Sequence, residues 1–286
     1  MRTMRPLCIF LWVVIAVVVI YFTRFGRSTR RRRVTGQSDI LGVLNTSLPP
    51  PPTPSGIQHC LFINLNHRQD RLDHFLLQLN ASGISCERVA GVNPAADGSP
   101  HAELLKTCYD NRACPGQLGC QLSHLKAVDL CIAQNWTNVA IFEDDFMFQP
   151  FFLAADLQRL VEEITSRAPD WKVIGLSLNI GLQTIVGEPL TFINAQHKPL
   201  RYTIIHNAQT TGGLLFRDTD VLRRYRFLIS LEQCNVRKDY LTAIDTCMKP
   251  MQKEGLWVGL SPQIGTQMRS FSDIERHEVN YGLARI

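Results

Sequence analysis

Val139-Ala-Ile-Phe142 runs straight into Glu143-Asp144-Asp145. An unbroken apolar run this short, with no alternation, fits a strand covered on both faces of a layered sheet. The carboxylates that follow cannot share that environment and must lie where the strand leaves the sheet. In open α/β sheets, ligands bind beyond the carboxyl ends of strands. Adjacent acids repel one another, and a hard divalent cation held by oxygen ligands relieves the repulsion. Such a cation also bridges a diphosphate and neutralises charge on a leaving nucleotide. Glu143, Asp144 and Asp145 are therefore candidate metal ligands. A solvated acidic turn is the plain alternative for the triplet taken alone.

The flanking sequence supports a layered domain. Apolar residues make up 45% of the 286-residue chain, enough for a sizeable core. Cys60-Leu-Phe-Ile-Asn-Leu reads as a second buried strand, so the folded part is expected to begin near Ile57. Leu72, Phe75, Leu76 and Leu79 share one face of a helix over 68–79. A second helix is expected over 117–134, with Leu118, Leu122, Leu125, Val128 and Ile132 inward. Further helices are expected over 151–164, 219–227 and 238–249, and strands over 86–90, 171–178 and 212–216. Residues 97–115 read as loop. Strands alternating with helices imply an α/β sandwich around a largely parallel sheet. The sequence holds no internal repeat, P-loop or GxGxxG.

The N-terminus bears on compartment. Residues 7–22 carry no charge and would span roughly 24 Å as a helix, short of a bilayer core of about 30 Å. Thr23 and Arg24 follow at once, with no small-residue cleavage pattern, so an uncleaved signal anchor is expected over 1–22. Residues 23–56 are basic, then polar, then proline-rich, and read as a stem before a catalytic domain over 57–286. The formal charge of +5 is concentrated in Arg24, Arg27 and the arginines at 30–33, a membrane flank and not a nucleic-acid surface. By the positive-inside rule this flank alone would leave the domain in the cytosol. Sequons at Asn45, Asn80 and Asn135 argue for the lumen. So does an even set of cysteines beyond the anchor: Cys60, Cys86, Cys108, Cys114, Cys120, Cys131, Cys234 and Cys247. Such a set permits disulfides without fixing their connectivity. The expected location is the endoplasmic reticulum or Golgi membrane, single-pass, with the domain luminal.

Four segments follow one another along the chain: Phe62-Ile-Asn-Leu-Asn-His-Arg-Gln-Asp-Arg-Leu, Pro115-Gly-Gln-Leu-Gly-Cys-Gln-Leu-Ser-His-Leu, Ile141-Phe-Glu-Asp-Asp, and 267–274 with its Ser272-Asp273-Ile274. Together they resemble glycosyltransferase family 25, which includes lipopolysaccharide and procollagen galactosyltransferases. The resemblance runs over about 58–276. It implies a glycosyltransferase A-type α/β domain that takes a UDP-sugar, usually UDP-galactose, with manganese or another divalent cation, and a glycan or protein hydroxyl as acceptor. It implies donor-side roles for Asn64, Arg68, Arg71, Gln117, His124, Gly213 and Asp273. An inverting transfer requires a general base, for which Asp245 is preferred to Asp239. Plainer roles stand beside each: an ion pair at a helix start for the arginines, a helix cap for Asn64 or Asp273, a turn at Gly212-Gly213, and a packed core residue for His124. The chain departs from the family at Gln117, where Gly-Glu is usual after the proline. That departure keeps open a non-catalytic relative that binds a sugar nucleotide or glycan as scaffold or chaperone.

Overall fold

The computed structural model describes residues 56–108, 114–149, 152–186, 188–190, 199–234, 243–268, 270–272, 274 and 278–279. All of them lie in one compact unit. The expected anchor lies outside the described residues, as do the stem up to residue 55, Asp239 and Asp273. Among the described residues, no helix is long and apolar enough to cross a membrane.

The chain opens with a βαβ unit. Strand β1 (His59–Asn64) leads into helix α1 (Gln69–Ser82), which ends at Gly83 in the left-handed conformation, φ +71°, and returns as β2 (Glu87–Ala90) parallel to β1. Helix α2 (Cys114–Ala133) then carries the chain to β3 (Val139–Glu143), which lies parallel to β1 on its other side. Beyond it come β4 (Phe146–Phe148), α3 (Ala154–Arg167), β5 (Val173–Gly175), β6 (Asn179–Ile185), β7 (Arg201–Gln209) and β8 (Gly213–Phe216). Helix α4 (Thr219–Leu228) and the short helices α5 (Leu231–Cys234), α6 (Ile244–Cys247) and α7 (Lys249–Gln252) precede β9 (Trp257–Ser261) and β10 (Gly265–Gln267).

One eight-stranded sheet has the order β2-β1-β3-β8-β5-β9-β7-β6. It is mixed, which corrects the largely parallel sheet expected. β8 runs antiparallel to both β3 and β5, and β7 runs antiparallel to β6 and β9. An apolar run such as Gly213-Leu-Leu-Phe216 records burial on both faces but not direction.

Alternation along the central strands feeds two cores. Phe62, Ala140, Phe142 and Leu215 face the layer holding Phe75 of α1 and Leu157, Leu160 and Ile164 of α3. Leu61, Ile63, Ile141, Leu214 and Phe216 face the layer holding Ala127, Val128 and Cys131 of α2 and Leu222 and Tyr225 of α4. Two faces expected from periodicity differ in detail. In α1, Leu76 is exposed and Arg71 is buried in its place. In α2 the buried positions include Gln121, Ser123 and His124, while Leu122, Leu125 and Ile132 are only partly covered. Both helices turn polar groups inward because they border the cleft described next. The stretch expected as loop holds a 3-10 helix, Ala102–Cys108. Among the described residues, the cysteines form the pairs Cys60–Cys86, Cys108–Cys114 and Cys234–Cys247, leaving Cys120 and Cys131 as thiols.

Candidate active site

A cleft of about 440 Å³ opens at the carboxyl ends of β1, β2 and β3. That size suits a small ligand or cofactor. Ile63, Leu65, Val92, Pro94 and Ala95 give it one apolar wall, and α2 supplies Pro115, Gly116, Gly119, Cys120, Ser123 and His124. Helix and loop are joined tightly. Ser123 Oγ accepts from the Val92 N–H (2.8 Å) and donates to the Gly119 carbonyl (2.6 Å). A Cβ at Gly119 would sit 2.7 Å from the Val92 carbonyl oxygen, so only glycine admits this approach.

The floor is acidic, and the structure divides the triplet. Asp144 and Asp145 fall in the turn after β3 and face Arg71, whose Nη1 lies 3.0 Å from Asp144 Oδ1 and 3.2 Å from Asp145 Oδ2. Asn64 Nδ2 donates to Asp144 Oδ2 (2.7 Å), while its own Oδ1 accepts from Arg88 Nε (2.9 Å). Glu143, still on the strand, turns to α2 instead. Its Oε1 lies 3.0 Å from His124 Nε2 and accepts from Thr211 Oγ1 (2.5 Å). Antiparallel pairing of β10 with β4 sets Gln267 opposite Phe146 and beside Asp145.

Burial governs the charge state of these acids. It pushes Asp145 up to about 7; the Glu143 charge adds to the rise, and Arg71 opposes it. Burial also raises Asp144, against the pull of Arg71 and Asn64. For Glu143 burial acts upward too, but hydrogen bonds and charge from His124, with Thr211 and Arg71, outweigh it and hold the carboxyl below its ordinary value. Asp145 Oδ1 is buried with no hydrogen-bond partner among the described residues.

The structure gathers Arg71, His124, Glu143, Asp144 and Asp145 on the cleft. Asn64 stands behind Asp144 and orients it. Arg68 instead grips Asp70 with Nε (2.9 Å) and Nη2 (2.8 Å), an ion pair at the start of α1. Gly213 packs inward: a Cβ there would lie 2.7 Å from the Phe146 ring, so its missing side chain makes room for the core and not for a ligand. Gln117 is not a lining residue, and its Oε1 is buried with no hydrogen-bond partner among the described residues. Asp245, in the first turn of α6, is not a lining residue either; its Oδ2 accepts from the Thr210 N–H at 3.4 Å. Sequence reasoning missed Arg88, Thr211, Gln267 and Cys120. Cys120 was within reach, since it lies four residues before His124 on one helical face.

Residues 57–177 match the model of Glycosyltransferase family 25 (LPS biosynthesis protein). Most of the cleft lining falls within this match and bears out the resemblance, Asp144, Asp145, Arg71 and His124 included; Gln267, Ser272 and Ile274, which also line the cleft, lie beyond it. Over 128 residues the chain is 30% identical to Procollagen galactosyltransferase 1 of Danio rerio, covering 42% of this chain and 21% of that protein. Over 134 residues it is 30% identical to Inactive glycosyltransferase 25 family member 3 of Homo sapiens, covering 44% and 22%. The chain therefore spans about a fifth of the length of these relatives. Among solved structures, a UDP-glucose pyrophosphorylase complexed with UDP-glucose aligns with a TM-score of 0.38 at 10% identity, over 71% of this chain and 89% of that one.

Proposed function

We propose that the chain is a luminal glycosyltransferase that moves a hexose, galactose in the first instance, from a UDP-sugar to a hydroxyl of a glycan or protein. The observation that carries this reading is Asp145: a buried carboxyl pushed up to about 7, with no hydrogen-bond partner for Oδ1 among the described residues, on the floor of a cleft at the strand ends. A manganese or similar ion fits this donor set, with Asp144 and Asp145 to hold it, and would stabilise charge on the departing nucleoside diphosphate. Arg71 and Asn64 fix the two carboxylates, and Arg88 fixes Asn64. The apolar wall from Ile63 to Pro94 lies beside them. Inversion needs a base for the acceptor hydroxyl. Asp245 keeps that role in our reading on the family resemblance alone, since it does not line the cleft and its Oδ2 accepts from the Thr210 N–H.

The test is nucleotide release from a panel of sugar nucleotides, with manganese or chelator. Release should require the metal and fall about a hundredfold or more in Asp145→Ala, the scale of several kcal/mol of lost charge stabilisation. Metal-independent release, or full activity in Asp145→Ala, overturns the reading. Asp245→Asn, run alongside, tests the base. A second reading, a non-catalytic sugar-nucleotide binder, is favoured by Gln117 in place of the family's Glu. Donor binding without turnover in the folded protein would select it.

A further inference from the structure

We propose a second cation site on the wall of the cleft, formed by Cys120 Sγ, His124 Nε2 and Glu143 Oε1 and suited to a thiophilic ion such as Zn2+. The three ligand atoms lie within 4.8 Å of one another. They come from two rigid elements: Cys120 and His124 sit one turn apart on α2, and Glu143 ends β3. Thiolate, imidazole and carboxylate together select zinc over the hard ions that an all-oxygen site prefers. The other described cysteines do not compete, since they are paired in disulfides except for Cys131, eleven residues further along α2 and fully buried. All three ligands line the cleft, so a fourth position faces its interior, the open arrangement of reactive zinc sites and not the closed one of structural sites.

The site is separate from the Asp144/Asp145 floor, because Glu143 points to α2 and not to Arg71. Ligation forms a sulfur–metal bond and releases the thiol proton to solvent; the proton that His124 Nε2 shares with Glu143 passes by way of solvent to Nδ1, and that hydrogen bond is exchanged for two metal bonds. His124 Nδ1 has no acceptor among the described residues. Ligating histidines usually donate that second N–H, and its lack costs about 10–100-fold in affinity, so binding is reversible and weaker than at a structural zinc.

This inference does not rest on the transferase reading, and its test needs no turnover. Co2+ and then Zn2+ are titrated into the full chain under non-reducing conditions, following absorbance and heat. Expected are a cobalt–thiolate charge-transfer band that Zn2+ abolishes, loss of the band in Cys120→Ser, and zinc affinity lowered by at least about tenfold in Cys120→Ser and in His124→Gln. Asp145→Asn should keep the band, with zinc affinity lowered less than in either ligand variant, since it removes a neighbouring charge and no ligand atom. Circular dichroism confirms folding, and His124→Gln carries the test alone if Cys120→Ser does not fold. No thiolate band in the wild type, unchanged zinc affinity in the ligand variants, or a loss confined to Asp145→Asn each overturns the proposal.

Discussion

One guanidinium nitrogen of Arg71 serves two buried carboxylates, and Asp145 is the one left short. Its carboxyl rises from an ordinary 3.8 to about 7 in the fold. The folded state then binds more protons than the unfolded one, so this group's contribution is full below about 4 and is lost as pH climbs through 7. Asp144, also raised by burial, acts in the same sense. Glu143 acts in the opposite sense, but at the acid end, below its ordinary 4.5. With chelator present, the melting temperature should fall by several degrees between pH 5 and pH 8, and Asp145→Asn should flatten that fall. Thermal unfolding across pH checks it; an equal slope in the variant would show that the pH dependence arises elsewhere. The acids themselves were legible as a run after an apolar strand. Their division was not, because it depends on where the strand stops: Glu143 keeps the pleat and meets His124, while Asp144 and Asp145 enter the turn and meet Arg71.

Helix α2 is the element on which the cleft depends, because it approaches the 91–94 loop closely enough to form its wall. In Gly119→Ala the new Cβ would meet the Val92 carbonyl at 2.7 Å and Pro94 Cδ at 3.1 Å. A backbone carbonyl cannot step aside as a flexible side chain can. The helix must shift outward and strain the Ser123–Val92 bond, costing about 1–3 kcal/mol, the range for overpacking. Expected are a lower melting temperature and, under the proposed function, weakened binding of uridine diphosphate, read by calorimetry. Unfolding and affinity both equal to wild type would mean that the close approach is dispensable. Helix positions were legible here from periodicity: 117–134 and 219–227 were expected where 114–133 and 219–228 form. The inward face of α2 was not, since Gln121, Ser123 and His124 are buried by bonds to distant partners that hydrophobic spacing does not record. The β6–β7 hairpin was missed for the converse reason: β6 is an exposed edge, and Leu182 and Ile185 stay outside the core.

At the scale of the whole molecule, disulfides and sequons bear on the same compartment. The pairs Cys60–Cys86, Cys108–Cys114 and Cys234–Cys247 would form and persist in an oxidising lumen and stay reduced in the cytosol. Asn80 and Asn135 are both exposed. Asn135 follows α2 in a turn, with φ 53°, and its Oδ1 accepts from Thr219 Oγ1 at 3.1 Å. A glycan attached through Nδ2 leaves that acceptor in place, so the modification is compatible with the fold. The full chain expressed in cells should therefore carry N-glycans at Asn80 and Asn135, seen as an electrophoretic shift on glycosidase treatment and a smaller one in each Asn→Gln variant. The same protein, alkylated without reductant, should, among the described cysteines, leave Cys120 and Cys131 open to labelling once denatured and the six paired ones protected. Unglycosylated protein with those six cysteines labelled would place the domain in the cytosol, as the arginine flank alone suggests. The luminal part of the proposed function would then fall, while the geometry of the cleft would stand unchanged.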